Sequence, residues 1–168
     1  MTNSIKTFSN YFAILLLTSF LAACATAPTE TTSSTSTSQS QVVGGVYVGT
    51  ETIEMLAVDV PDRVFFAYDS YSLAAWAQAT LNKQAKWLKA NPSVAIAVEG
   101  HADERGTREY NLALGDRRAS SVKDYLMSQG ISSNRISTIS YGKERPVKSG
   151  SNDTAWAQNR RSVSVRTN

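Results

Sequence analysis

The chain has 168 residues, 42% of them hydrophobic, and carries 17 Lys and Arg against 14 Asp and Glu for a formal net charge of +3. That length suits one domain with an extension. The small charge, with acids interleaved among bases as in Asp103-Glu104-Arg105 and Asp116-Arg117-Arg118, excludes the clustered cationic face of a nucleic-acid binder, and a single cysteine, Cys24, excludes an intramolecular disulfide.

In chain order, residues 1–10 are polar with one basic side chain, Lys6, and residues 11–21 are apolar. The apolar run is shorter than the roughly 20 residues a membrane-spanning helix needs. A basic start, a short apolar core and small residues after it describe a secretory signal. The site reads Leu21-Ala22-Ala23-Cys24, which resembles the lipobox of bacterial lipoproteins. That resemblance implies a signal peptide over residues 1–23, cleavage before Cys24, and lipidation of Cys24. One acyl chain binds a membrane only marginally, whereas several on one residue hold firmly. Ala25 stands where an Asp would favour inner-membrane retention, so the resemblance points to the outer membrane, with the folded part in the periplasm.

Residues 25–41 are rich in Ser and Thr and have too few apolar side chains to form a core, so they are expected to be disordered. Residues 24–58 together read as the lipidated cysteine and a flexible linker. About 35 such residues span an r.m.s. distance of about 30–35 Å, with a ceiling near 120 Å. Residues 42–57, with Gly44-Gly45 and a short Val/Tyr pattern, leave open whether they pack on the domain edge or stay loose.

A globular pattern occupies residues 59–168. Residues 64–69 read as a strand, and Ser72 suits a helix N-cap. Leu73, Ala77, Leu81, Ala85 and Leu88 then recur at helical spacing until Asn91-Pro92 stops the helix. Trp76 and Trp87 fall on one stripe of that helix, where packing is the plainest role. Val94, Ile96 and Val98 alternate as a strand. Leu112, Gly115, Ala119, Val122 and Leu126 mark a second helix that Gly130 ends. Gly115 on the packed face predicts close approach to a sheet. Strands are expected near 136–141 and 162–166. The order β-α-β-α-β-β predicts an α+β domain: a mixed sheet with both helices on one face.

The chemistry concentrates in Gly100-His101-Ala102-Asp103-Glu104-Arg105-Gly106-Thr107 and the helix that follows, through Ala119. Thr107 can cap that helix. Asn111, Leu114 and Arg118 share a stripe expected beside the core face. Asp103 on a loop and Arg118 on the adjacent helix suit a zwitterionic ligand, with Asp accepting from an ammonium and Arg clamping a carboxylate through two bonds. Spacing alone leaves a structural ion pair as the alternative.

These segments, with residues 66–73, Ser140-Tyr141-Gly142-Lys143-Glu144-Arg145-Pro146 and Asn159-Arg160-Arg161, resemble the peptidoglycan-associated lipoproteins of the Tol–Pal system, within the OmpA-like C-terminal domain family. The resemblance implies a domain that binds peptidoglycan at the meso-diaminopimelate of its peptide stem. Carried over by motif, the ligand-binding positions are Tyr68, Asp69, Ser70, Asp103, Arg105, Leu114 and Arg118. Asn111, Arg160 and Arg161 support the site or the fold. The resemblance also implies TolB and TolA as partners, a tether between outer membrane and wall, and a part in envelope integrity and in constriction at division. The alternative is an OmpA-like wall-binding lipoprotein without Tol partners.

No cofactor is expected. A metal site is disfavoured because one histidine beside adjacent carboxylates makes a poor ligand shell; His101 suits packing or hydrogen bonding near the site. Catalysis is disfavoured as well. Neighbouring arginines are expected to keep Asp69, Asp103 and Glu104 ionised, and no serine carries a nucleophile motif.

Overall fold

The computed structural model describes residues 42–50 and 53–167. The expected signal peptide, Cys24 and residues 25–41 lie outside the described residues. Two short hairpins come first: β1 (Val42–Val43) with β2 (Val46–Tyr47), and β3 (Met55–Ala57) with β4 (Val60–Pro61). Then follow β5 (Arg63–Phe65), α1 (Ala75–Ala90), β6 (Ile96–His101), α2 (Arg108–Ser128), a 3₁₀ turn at Ser133–Arg135, β7 (Ile136–Gly142), α3 (Asp153–Asn159) and β8 (Arg161–Arg166).

The last four strands form one sheet in the order β5-β8-β6-β7. β6 and β7 are parallel, while β8 runs antiparallel to both β5 and β6. Strands β5, β6 and β7 therefore share a direction. Their crossovers through α1 and α2 step the same way across the sheet, and right-handed crossovers in one direction put both helices on one face. The return strand β8 fills the gap between β5 and β6. This is the expected α+β arrangement.

Alternation along the strands sorts the core. Val64, Phe66, Ile96, Val98 and Ile136 meet Ala77, Leu81, Ala85 and Leu88 of α1 and Ala119, Val122 and Leu126 of α2. Trp76 and Trp87 pack half-buried at its margin. Gly115 does approach the sheet closely: a Cβ on Gly100 would lie 1.8 Å from the Gly115 carbonyl oxygen. β6 and α2 thus touch backbone to backbone, which fixes the loop between them.

Local signals account for most helix ends. Thr107 caps α2 by accepting from the Tyr110 amide at 3.2 Å. Past its end, Gly130 takes φ +88°, a left-handed conformation that glycine adopts without strain. α1 departs from expectation. It begins at Ala75 behind an Ala74 cap with no side-chain bond. The Ser72 amide instead donates to Ser70 Oγ at 3.1 Å, so a turn holds residues 70–72 out of the helix. The strand expected over 64–69 is correspondingly short and ends at Phe65.

Packing also begins ahead of residue 59, inside the segment read as linker. Tyr47 is fully buried, edge-on to Phe65 at 4.8 Å, and Arg160 Nη2 donates to the Gly45 carbonyl at 2.6 Å. The hairpin therefore covers part of the sheet face opposite the helices. α3 is a further addition, capped by Asn152 through the Ala155 amide at 2.9 Å.

Candidate ligand-binding cleft

Parallel strands carry their ligand sites beyond their carboxyl ends. Here the loops after β5 and β6 and the first turns of α2 enclose a cleft of about 390 Å³. Its walls include Tyr68, Asp69, Asp103, Arg105, Asn111, Leu114 and Arg118, together with Gly106, Thr107 and Tyr110.

Arg118 forms the floor. It is fully buried, and its guanidinium donates to three carbonyl oxygens: Ser70 at 2.8 Å, His101 at 2.8 Å and Ala67 at 3.2 Å. The Phe66 ring lies 5.2 Å away. A guanidinium has five N–H donors, so these bonds leave two for a ligand. Burial, and next the charge of Arg160, lowers its pKa to about 10, which leaves it protonated at neutral pH.

Asp103 is held differently. Arg105 grips it through Nε at 3.1 Å, Nη2 at 2.6 Å and its own backbone amide at 3.1 Å. Arg160 Nη1 adds a bond at 3.1 Å. Burial by itself would raise the Asp103 pKa, but these donors outweigh it and hold the carboxyl below its usual range. The ion pairs of Asp103 thus run to Arg105 and Arg160, and Arg118 rests on carbonyls. The structural pairing of Asp103 with Arg118, weighed from spacing, is not what anchors either side chain.

Arg105 is itself clamped. Its guanidinium carbon sits 4.1 Å from the ring centroids of both Tyr68 and Trp156. The loop around it is tied down by Asn111 Nδ2, which donates to the carbonyls of Arg105 (2.8 Å) and Thr107 (3.1 Å). Lys143 Nζ donates to those of Glu104 (3.2 Å) and Gly106 (2.7 Å). Across the cleft, Asp69 adopts a left-handed φ of 51°, which Asp tolerates better than most residues, and its Oδ1 accepts from the Tyr110 hydroxyl.

The remaining sequence candidates separate. Ser70 does not line the cleft; its carbonyl holds Arg118 and its hydroxyl holds the Ser72 amide. Arg160 lies beneath Asp103 and also donates to the Phe66 carbonyl at 3.1 Å. Arg161 sits away from the cleft, with Nη2 on the Arg145 carbonyl at 3.2 Å. Asn111, Leu114 and Arg118 stand outside the core cluster of Ala119, Val122 and Leu126, on the cleft side of α2, and all three are nonetheless buried. Tyr110, Lys143 and Trp156 were not foreseen, and no local pattern marks them. Among the described residues no group of three His, Cys, Asp or Glu side chains could hold a metal ion.

The comparisons agree with this fold. The model of the OmpA family matches residues 65–160. The peptidoglycan-associated lipoprotein of Brucella suis biovar 1 is 59% identical over 108 residues, covering 64% of each chain. That of Pseudomonas aeruginosa is 52% identical over 97 residues, covering 58% of this chain and 57% of the other. The chain thus spans less than two thirds of the length of these relatives. Among solved structures, the peptidoglycan-associated lipoprotein from Burkholderia pseudomallei superposes with a TM-score of 0.62 at 43% identity, over 63% of this chain and 90% of that one. The C-terminal domain of Helicobacter pylori MotB shares the fold at a TM-score of 0.60 and 22% identity, over 64% and 84%. With the family's model covering more than half its length, the chain belongs to the OmpA family.

Proposed function

We propose that this chain is an outer-membrane lipoprotein, anchored at Cys24, whose domain binds peptidoglycan without covalent chemistry and tethers the membrane to the wall. The observation that carries the reading is the charge pattern of the cleft. Two carboxylates, Asp69 and Asp103, face two guanidiniums, Arg105 and Arg118, within one set of walls. Both signs of charge in one cleft fit a zwitterion, as the side-chain terminus of meso-diaminopimelate is. The ligand ammonium meets Asp69, and Asp103, whose oxygens accept from Arg105 and Arg160, adds negative charge beside it. Its carboxylate takes the two spare N–H donors of Arg118. A buried cation whose hydrogen bonds all go to neutral carbonyls gains most from a carboxylate that completes its pairing. Leu114 supplies the apolar wall for the methylene chain, and Ser70 contributes through the backbone that orients Arg118.

Ionised carboxylates suit binding and not general-acid work, so the domain is read as non-catalytic. The similarity to peptidoglycan-associated lipoproteins supports TolB and TolA as partners and a part in constriction of the outer membrane at division. Co-sedimentation of the full chain with purified peptidoglycan tests the core of the reading. Wild type is expected to pellet with the wall, and Asp103→Ala to stay largely in the supernatant. Unchanged pelleting of that variant would remove the cleft from the account. Pull-down with TolB and TolA tests the partners separately.

A further inference from the structure

Among the described residues, the exposed aromatic side chains are three tyrosines: Tyr68 (61% exposed), Tyr71 (49%) and Tyr110 (48%). Exposed large aliphatics stand elsewhere, on the hairpins, on β7 and β8 and near the α2 C-terminus. The tyrosines share one place. Tyr68 and Tyr110 line the cleft. Tyr71 lies on the same loop as Tyr68, with the Arg117 guanidinium 5.9 Å from its ring centroid. Arg117 and Tyr110 are seven residues apart on α2 and therefore share a helix face. The result is a rim of three rings, with Arg105 against Tyr68 and Arg117 against Tyr71, running from the cleft mouth along α2.

We propose that the Tyr71–Arg117 end of this rim is a second subsite, and that it takes the amino-sugar strand from which a peptide stem hangs. The proposal rests on the wall-binding reading of the cleft. A pyranose ring presents C–H bonds on one face and hydroxyl and acetamido groups at its edge. A tyrosine ring covers the first, and phenol and guanidinium groups bond the second. Distance agrees. α2 rises 1.5 Å per residue, so Arg117 lies about 10 Å beyond Tyr110. The two stem residues between the diamino acid and the sugar, one of them γ-linked, span about 9–10 Å when nearly extended, and the lactyl link adds a few more. A stem fixed in the cleft by its diamino acid delivers its sugar to this rim. Tyrosine and arginine also serve protein partners, but continuity with the cleft at stem length favours the sugar.

Calorimetric titration of the full chain in mild detergent, with two probes, tests this. One probe is the free tripeptide L-Ala-γ-D-Glu-meso-diaminopimelate. The other is the same tripeptide on its N-acetylglucosaminyl-N-acetylmuramyl disaccharide. Wild type is expected to bind the disaccharide probe about five- to tenfold more tightly, as one or two ring contacts allow. Tyr71→Ala with Arg117→Gln is expected to bring both probes to the affinity of the free tripeptide. Equal affinity of wild type for the two probes would overturn the subsite, as would variants that keep the disaccharide preference or that weaken both probes alike. Failure of both probes to bind wild type would overturn the cleft reading and the subsite with it.

Discussion

His101 and Asp103 stand two residues apart at the end of β6, on opposite sides of the chain, and arginines surround both. His101 points to the sheet face away from the helices. Burial first, then the charges of Arg161, Arg145 and Arg63, lowers its pKa to about 3. Its two ring nitrogens are buried without hydrogen-bond partners, its ring lies 5.5 Å from that of Tyr141, and Glu99 at 3.6 Å does not offset the arginines. Asp103 points to the cleft, where donors from Arg105 and Arg160 lower its pKa against its own burial. One sign of surrounding charge thus has opposite results. It keeps a histidine neutral and inert, and it keeps a carboxylate ionised and able to bind. Charge density alone does not mark the site; what matters is which form of the titrating group carries charge.

The comparison is sharpest in its pH dependence. Between pH 3 and 6.5 the unfolded chain protonates His101 and the folded chain does not, so stability falls as pH drops through that window and levels off below it. The full shift corresponds to roughly 3–5 kcal/mol. Asp103 has a depressed folded pKa, so its contribution is present above about pH 4 and is lost only below that. Thermal unfolding is therefore expected to show a drop in Tm beginning near pH 6. His101→Gln should flatten the curve between pH 6 and 4 and leave the steeper loss below pH 4. An unaltered curve in that variant would show that His101 is not the group responsible.

The next effect concerns the cleft floor. Asp103 has its counter-charges within the protein, while Arg118 rests on three carbonyls and a ring. Arg118→Ala should weaken tripeptide binding by about a hundredfold or more, in line with the 2–5 kcal/mol typical for truncating one partner of a buried charged pair. Arg118→Lys should recover little, because an ammonium lacks the planar fork that reaches three carbonyls and still offers two donors. Near-full recovery by lysine in the same titration would argue that Arg118 acts as a point charge only.

These contrasts differ in how far the amino-acid sequence reveals them. The α1 and α2 periodicities were legible, because a helix repeats its buried face locally, and Gly115 on that face announced the contact with β6. The α3 helix was not legible: seven residues make too few turns to show a period. Its Trp156 matters through Arg105, 51 positions away, and Tyr110 matters through Asp69, 41 positions away. Such pairs depend on where loops converge, which no local spacing encodes. The burial of Arg118 is not legible for a related reason. A charged residue one step off an apolar stripe reads as flanking, and contacts far along the chain, the carbonyls of Ser70, His101 and Ala67 and the Phe66 ring, make its burial tolerable.

The smallest expected effect separates the two carboxylates of the cleft. Arg105 and Arg160 occupy both oxygens of Asp103, whereas the protein bond described for the Asp69 carboxylate is the one from the Tyr110 hydroxyl to Oδ1. Tyr110→Phe removes that tie and keeps the ring. If the tie aims Asp69 at the ligand ammonium, tripeptide affinity should fall about three- to fivefold, the scale of one hydrogen bond. The loss should vanish when Asp69→Ala is already present, because that variant has no side-chain acceptor for the Tyr110 hydroxyl and a double-mutant cycle reports only the coupling between the two. If the tie instead holds the cleft mouth shut, Tyr110→Phe should raise affinity, and Asp69 would belong with the closing contacts and not with Asp103.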